Sequence, residues 1–206
     1  MRNRRGIFIT FEGGEGVGKS THIRFVASYF RRKGRKVLVV REPGSTPIGE
    51  QIRHILLHPK NKAMSVETEL FLYLAARAQL VSEVIQPALQ KGFVVISDRF
   101  EDSTIVYQGY AGGFPLTLLN EIAKAARGAT SPNLTFLLDI DIKTGLKRSG
   151  RKDRMEQKSL RFHEQIRRGY LMLARKNQKR FIVISTQTSK EEVQKKIKVE
   201  LNRVFS

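Results

Sequence analysis

A doubly wound α/β fold, with a five-stranded parallel sheet and helices on both faces, is predicted by two features of the sequence. Short continuous apolar runs alternate with segments of helical spacing, the pattern of strands covered on both sides. The first run, Ile7-Phe8-Ile9-Thr10-Phe11, passes directly into Glu12-Gly13-Gly14-Glu15-Gly16-Val17-Gly18-Lys19-Ser20-Thr21, a complete G-x-x-x-x-G-K-S phosphate loop in strand–loop–helix context.

Each element follows in order. After the loop, a helix opens near Lys19, carries Ile23, Val26, Ala27 and Phe30 on one face, and stops at Gly34. Residues 36–40 form the second strand and close a βαβ unit. A long helical pattern from about 66 to 90 leads to a third strand at 93–97; residues 134–138 and 181–184 supply the fourth and fifth. Right-handed crossovers place ligands at the carboxyl ends of such strands, so the residues that follow strands are the functional candidates. Residues 1–206 read as a single domain with the P-loop NTPase fold, without repeat, low-complexity tract or linker.

The formal net charge of +19 calls for anionic ligands, and nucleotides, nucleic acid and acidic lipid would all satisfy it. With no cysteine, thiol nucleophiles, thiolate metal sites and disulfides are excluded. The basic start at Arg2, Arg4 and Arg5 precedes an apolar run too short for a signal peptide or a membrane span, so a soluble, cytoplasmic protein is expected.

Within the loop, Gly13, Gly16 and Gly18 let successive amides turn inward while the helix aims its positive end at the same point. The stretch through Gly14, Glu15, Val17 and Thr21 is therefore the candidate polyphosphate site. Lys19 reaches the β- and γ-phosphates as a point charge, and the Ser20 hydroxyl is placed for Mg²⁺. The second strand runs into Arg41-Glu42-Pro43-Gly44-Ser45-Thr46-Pro47, a rigid turn rooted in a cation; the third ends in Ser97-Asp98-Arg99-Phe100, with a guanidinium suited to bidentate phosphate binding.

Transfer is favoured over hydrolysis, because Asp98 and Asp139, the two candidate metal-site aspartates, are followed by Arg99 and Ile140 and not by a water-positioning side chain. A phosphate monoester acceptor, with a second pKa of ~6, is largely ionised at neutral pH and requires no general base. Charge repulsion is then the obstacle, and arginines with Mg²⁺ are the remedy. Between residues 143 and 180 there are fourteen Lys or Arg and three acids. Most of these form a solvated face, but a Ser-Gly-centred segment at about 148–158 has the length and glycine of a short basic lid.

Together, Phe11-Glu12-Gly13, Arg41-Glu42-Pro43-Gly44, Ala75-Ala76-Arg77, Asp98-Arg99-Phe100 with Ser103-Thr104 and Tyr107-Gln108-Gly109, and Asp153-Arg154-Met155-Glu156 resemble the bacterial thymidylate kinase family over essentially the whole chain. The resemblance implies ATP as donor, dTMP as acceptor, Mg²⁺ as cofactor, a place in dTTP biosynthesis and a homodimer. It also implies roles. Glu15 accepts from the deoxyribose 3′-hydroxyl; Arg99, aided by Arg41 or Arg53, holds the acceptor phosphate; Asp98 lies near the Mg²⁺ shell with Ser20. Tyr73 stacks on thymine, Arg77 donates to a ring carbonyl, and Thr104 and Gln108 complete the polar edge, with Ser103 also among the substrate-binding residues, while Tyr107 closes the space beside C2′. Asp-Arg-Phe replaces the family's usual Asp-Arg-Tyr or Asp-Arg-His, and Tyr73 stands where phenylalanine is common. The loop has no arginine, which matches the subgroup whose lid supplies it; Arg151 and Arg154 are the candidates, and Arg148 packs against adenine. Phe71 is read as core.

Two other readings are a kinase for a different nucleoside monophosphate and a nucleic-acid-stimulated phosphate-loop ATPase. No nucleic-acid-binding motif or stacking platform accompanies the charge, so no specific nucleic-acid or membrane partner is expected.

Overall fold

The computed structural model describes residues 6–149 and 153–205. Its five strands, β1 (Ile7–Glu12), β2 (Val37–Arg41), β3 (Val94–Asp98), β4 (Leu134–Asp139) and β5 (Phe181–Ser185), are all parallel in the order β2-β3-β1-β4-β5. The doubly wound sheet expected from the sequence is the one found.

Each strand ends one residue beyond its apolar run, at Glu12, Arg41, Asp98, Asp139 and Ser185. The ladder carries these polar ends along, since Asp98 is in register with both Phe11 and Arg41, and Asp139 with Ser185. Backbone pairing thus lines the carboxyl edge of the sheet with polar side chains.

Alternation along the strands gives the sheet two buried faces. Ile9, Phe11, Ile96, Phe136 and Leu138 pack with α1 (Lys19–Arg32) and α9 (Lys190–Phe205). On the opposite face, Phe8, Val40 and Val95 meet the helical stretch α3 (Val66–Leu80) to α4 (Gln86–Gln90), and Leu137 and Phe181 meet α8 (Leu160–Lys176). The remaining helices are α2 (Pro47–Leu57), α5 (Glu101–Thr104), α6 (Leu116–Arg127) and α7 (Ile142–Ser149).

The stretch expected over about 66–90 is continuous, but a π-helical turn at Val81–Ile85 joins α3 to α4. Pro87 has no amide hydrogen to close the ordinary bond four residues back, and the widened turn absorbs the mismatch. A second π-helical stretch, Ile105–Ala111, follows α5 and carries Tyr107 and Gln108. Side-chain caps start other helices: Thr46 accepts from the Gly49 amide at 2.9 Å ahead of Pro47, and Ser65 from that of Thr68 at 3.1 Å. Among the described residues no helix is long and apolar enough to cross a membrane.

Phe136 lies on β4, between β1 and β5, fully buried and 5.2 Å from the Phe11 ring between centroids. Phe136→Ala is expected to cost about 3–5 kcal/mol in urea unfolding; a loss under about 1 kcal/mol would mean that this face repacks freely.

Candidate active site

The phosphate loop leaves β1 and is shaped by glycines that no other residue replaces easily. Gly16 has φ 67°, and a Cβ added there would lie 1.9 Å from the Gly145 carbonyl oxygen; Gly13 has φ 134°, with Leu138 O 2.3 Å from its added Cβ. Gly18 begins α1 without a side-chain cap, and the first turn carries no acid, so the amides and the positive end of the helix stay available to an anion. The Lys19 ammonium folds back to donate to Gly14 O at 2.9 Å and Gly13 O at 3.3 Å. Burial, and then the Arg99 charge, lower its pKa.

Arg99 follows β3 in a left-handed conformation, φ 73°, uncommon for a residue with a side chain and a mark of positions fixed by their surroundings. Its Nη1 donates to Gly13 O at 3.0 Å, Tyr170 OH at 3.1 Å and Ser103 Oγ at 3.3 Å, and its Nη2 donates to Glu15 Oε1 at 2.7 Å. Tyr107 donates to the same Glu15 oxygen at 3.0 Å. Burial opposes ionisation of Glu15, yet Arg99 foremost, then Lys19 and the Tyr107 hydroxyl, hold its pKa at about 2. Glu12, at the end of β1, accepts from the Phe100 amide and from Ser103 and Tyr170; burial first, and Asp102 second, push it up to about 7.

A second pocket wall is held by buried ion pairs. Arg77 is 1% exposed; its Nε and Nη2 donate to Glu42, its Nη2 also to Thr104 Oγ1 at 2.9 Å, and its Nη1 has no partner. Gln108 Nε2 donates to Glu69 Oε1 at 2.7 Å, and Glu69 Oε2 lies 2.5 Å from Arg154. Arg77 and Gln108 are thus each oriented by a carboxylate behind them.

One cavity of about 440 Å³ joins these parts. It gathers loop residues Glu15, Gly16, Val17, Gly18, Lys19, Ser20 and Thr21 with Arg41, Arg53, Tyr73, Arg77, Asp98, Arg99, Ser103, Thr104, Tyr107, Gln108 and Arg148. Gly13 and Gly14 are not among its lining residues and accept from Lys19. Arg41 pairs with Glu50 on the exposed rim, Arg53 donates to Pro43 O at 2.8 Å, and Arg148 donates to Thr186 O at 3.4 Å. Ser20 and Asp98 line the cavity together, a sparse oxygen set that suits Mg²⁺, which takes one or two carboxylates and completes its shell with substrate phosphates and water.

The basic lid differs from expectation. Arg151 lies outside the described residues. Arg154 is 3% exposed, does not line the cavity, and donates from Nε to Leu56 O at 2.8 Å beside its contact with Glu69. Asp153 accepts from the Met155 and Glu156 amides, and Met155 packs into the core beside α8, so 153–156 is an anchored turn and not a free flap. Buried acceptors claim the Arg154 charge, which corrects its reading as a cation facing the transferred phosphate. Phe71, read as core, is 58% exposed on the outer side of α3. Glu12 and Tyr170 were missed: Glu12 served only as a motif letter, and Tyr170 was not singled out. A carboxylate directly continuing a buried strand was the available signal.

Comparison with known proteins follows the same lines. A family model described as thymidylate kinase matches residues 11–197. A thymidylate kinase from Symbiobacterium thermophilum is 48% identical over 194 residues, 93% of this chain and 91% of the relative. One from Geobacter sulfurreducens is 48% identical over 188 residues, 87% of this chain and 88% of the relative. The crystal structure of thymidylate kinase from Ehrlichia chaffeensis superposes with a TM-score of 0.79 at 31% identity, covering 96% of this chain and 99% of that one.

The depressed Glu15 pKa has a consequence for stability. A carboxylate lowered on folding contributes stability that is present above its unfolded value, 4.5, and is lost as pH falls toward about 2. The stability difference between the wild-type protein and Glu15→Gln is therefore expected to shrink across that window in urea titrations; a difference independent of pH would contradict the ion pair.

Proposed function

This chain belongs to the thymidylate kinase family, and from that premise we propose that it transfers the γ-phosphate of ATP to dTMP with Mg²⁺, giving dTDP and ADP on the route to dTTP. The observation that carries this reading is the contact between Glu15 and Arg99, which ties the phosphate loop to the acceptor side of one continuous cavity.

The acceptor phosphate is the nucleophile, already ionised, so the chain's work is positioning and charge compensation. Lys19 exchanges its loop carbonyls for the β- and γ-phosphates of ATP. Arg99, with Arg53 and the rim Arg41, holds the acceptor phosphate in line. Ser20 and Asp98 would hold the Mg²⁺, which would supply positive charge against the donor phosphates. Arg148 lies against adenine. Arg151 stays the sequence-based candidate for the lid cation; Arg154 serves by fixing Glu69.

At the base, Tyr73 supplies the stacking face. Arg77 has one unpaired donor, Nη1, for a thymine carbonyl. Gln108, with its amide nitrogen taken by Glu69, offers its carbonyl oxygen to the N3–H. Cytosine presents the opposite pattern at these positions and would leave both groups unpaired. Thr104 and Ser103 orient the arginines, Tyr107 closes the C2′ side, and Glu15 receives the 3′-hydroxyl. The same reading makes the protein a cytoplasmic homodimer; α3 and α6 pack together, and each exposes a large apolar residue, Phe71 and Leu118.

The test is Mg²⁺-dependent ADP release with each nucleoside and deoxynucleoside monophosphate offered separately, beside a control without acceptor. Selective turnover with dTMP is expected. Preference for another monophosphate would overturn the base pocket, and release without acceptor would replace transfer by hydrolysis.

A further inference from the structure

Arg99 is held from behind by two hydroxyls that share one buried carboxylate. Its Nη1 donates to Ser103 Oγ and Tyr170 OH, and both hydroxyls donate to Glu12 Oε2, at 2.6 Å and 2.9 Å. The two hydroxyl oxygens lie 2.7 Å apart. The other carboxylate oxygen accepts from the amide of Phe100, the residue after Arg99, at 2.7 Å. Glu12 and Tyr170 are buried and do not line the cavity, so neither can touch a substrate there.

The chemistry of the three groups gives this arrangement a direction. A hydroxyl carries one hydrogen and two lone pairs and can turn either way, whereas an ionised carboxylate only accepts. With Glu12 ionised, as it is above about pH 7, the hydrogens of Ser103 and Tyr170 run toward it, directly or with one hydroxyl donating to the other, and lone pairs remain to take the Arg99 N–H groups. The backbone is fixed in the same manner, because the Arg99 amide donates to Phe11 O at 3.0 Å and its carbonyl accepts from Ser97 Oγ at 2.6 Å. Arg99 is therefore bound to β1 and to α8 through groups that never meet the ligand, an arrangement that spends no binding energy on ordering the side chain when the acceptor arrives.

We propose that Glu12 and Tyr170 are positioning residues, which act through the Ser103 hydroxyl and directly on Arg99 to hold its guanidinium at the acceptor phosphate. The proposal rests on the acceptor-phosphate role given to Arg99 above. It differs from a packing role because the Tyr170 ring, stacked edge-on at 6.3 Å from Tyr107, stays in place when only its hydroxyl is removed.

The test compares the wild-type protein, Tyr170→Phe, Arg99→Lys and the double variant by steady-state kinetics with dTMP and by calorimetry with MgATP alone. Tyr170→Phe is expected to lower kcat/KM for dTMP by about fivefold or more while MgATP affinity stays within about twofold, and to add less than about twofold to the loss in the Arg99→Lys background. Unchanged dTMP kinetics, a parallel loss of MgATP affinity, or a further loss of twofold or more in that background would overturn the relay. Ser103→Ala is held to the same thresholds and decides the matter should Tyr170→Phe fail to fold. A wild-type protein inactive toward dTMP would overturn the acceptor assignment itself, a result distinct from active wild-type protein with indifferent variants.

Discussion

The site depends on keeping one guanidinium charged, nearly buried and pointed in a fixed direction. Arg99 has a side chain only 16% exposed, and a charge withdrawn from water that far must be met by other groups or it destabilises the fold. Glu15 supplies the opposite charge, Gly13 a carbonyl, and Ser103 and Tyr170 their oxygens. These partners come from the phosphate loop, the segment after β3 and α8, so the compensation of one charge fixes three parts of the chain relative to one another. Glu15 belongs to the loop that takes the donor and touches the arginine assigned to the acceptor. On the proposed reading, donor and acceptor positions are set by a single contact.

The wall assigned to the base applies the same rule a second time. Arg77 is fully buried against Glu42, and Gln108 is fixed by Glu69, which Arg154 neutralises in turn. Such pairs contribute little net stability compared with apolar packing, but breaking one is costly because a bare charge is left behind. Their value here is orientation: the carboxylates hold the side chains so that each presents one chosen atom to the cavity. On the proposed reading, a base with the wrong pattern meets donors and acceptors that cannot relax to suit it.

Much of this was legible in the sequence. The five apolar runs marked the strands to within one residue at each carboxyl end, and Glu15 to Thr21 of the phosphate loop line one cavity with Arg99, Tyr73 and Gln108. What escaped was decided by tertiary partners. Arg154 stands in a basic run that reads as solvated lid, and only the fold brings Leu56 and Glu69 to it. Glu12 and Tyr170 are far apart in the chain and become a pair only when α8 packs below β1. Phe71 fits a core pattern by hydropathy, yet the face of α3 that it occupies has nothing from the described chain to cover it. Local spacing records which residues share a face and is silent on what that face meets.

The most direct test of the account is a crystal structure of the protein with dTMP, Mg²⁺ and a non-hydrolysable ATP analogue. The account predicts both nucleotides in the one cavity, the acceptor phosphate within hydrogen-bond distance of Arg99, and Glu15 bound to the sugar while Ser103 and Tyr170 keep their hold on the guanidinium. An acceptor phosphate seated away from Arg99, or an Arg99 that leaves these hydroxyls to reach it, would contradict the account.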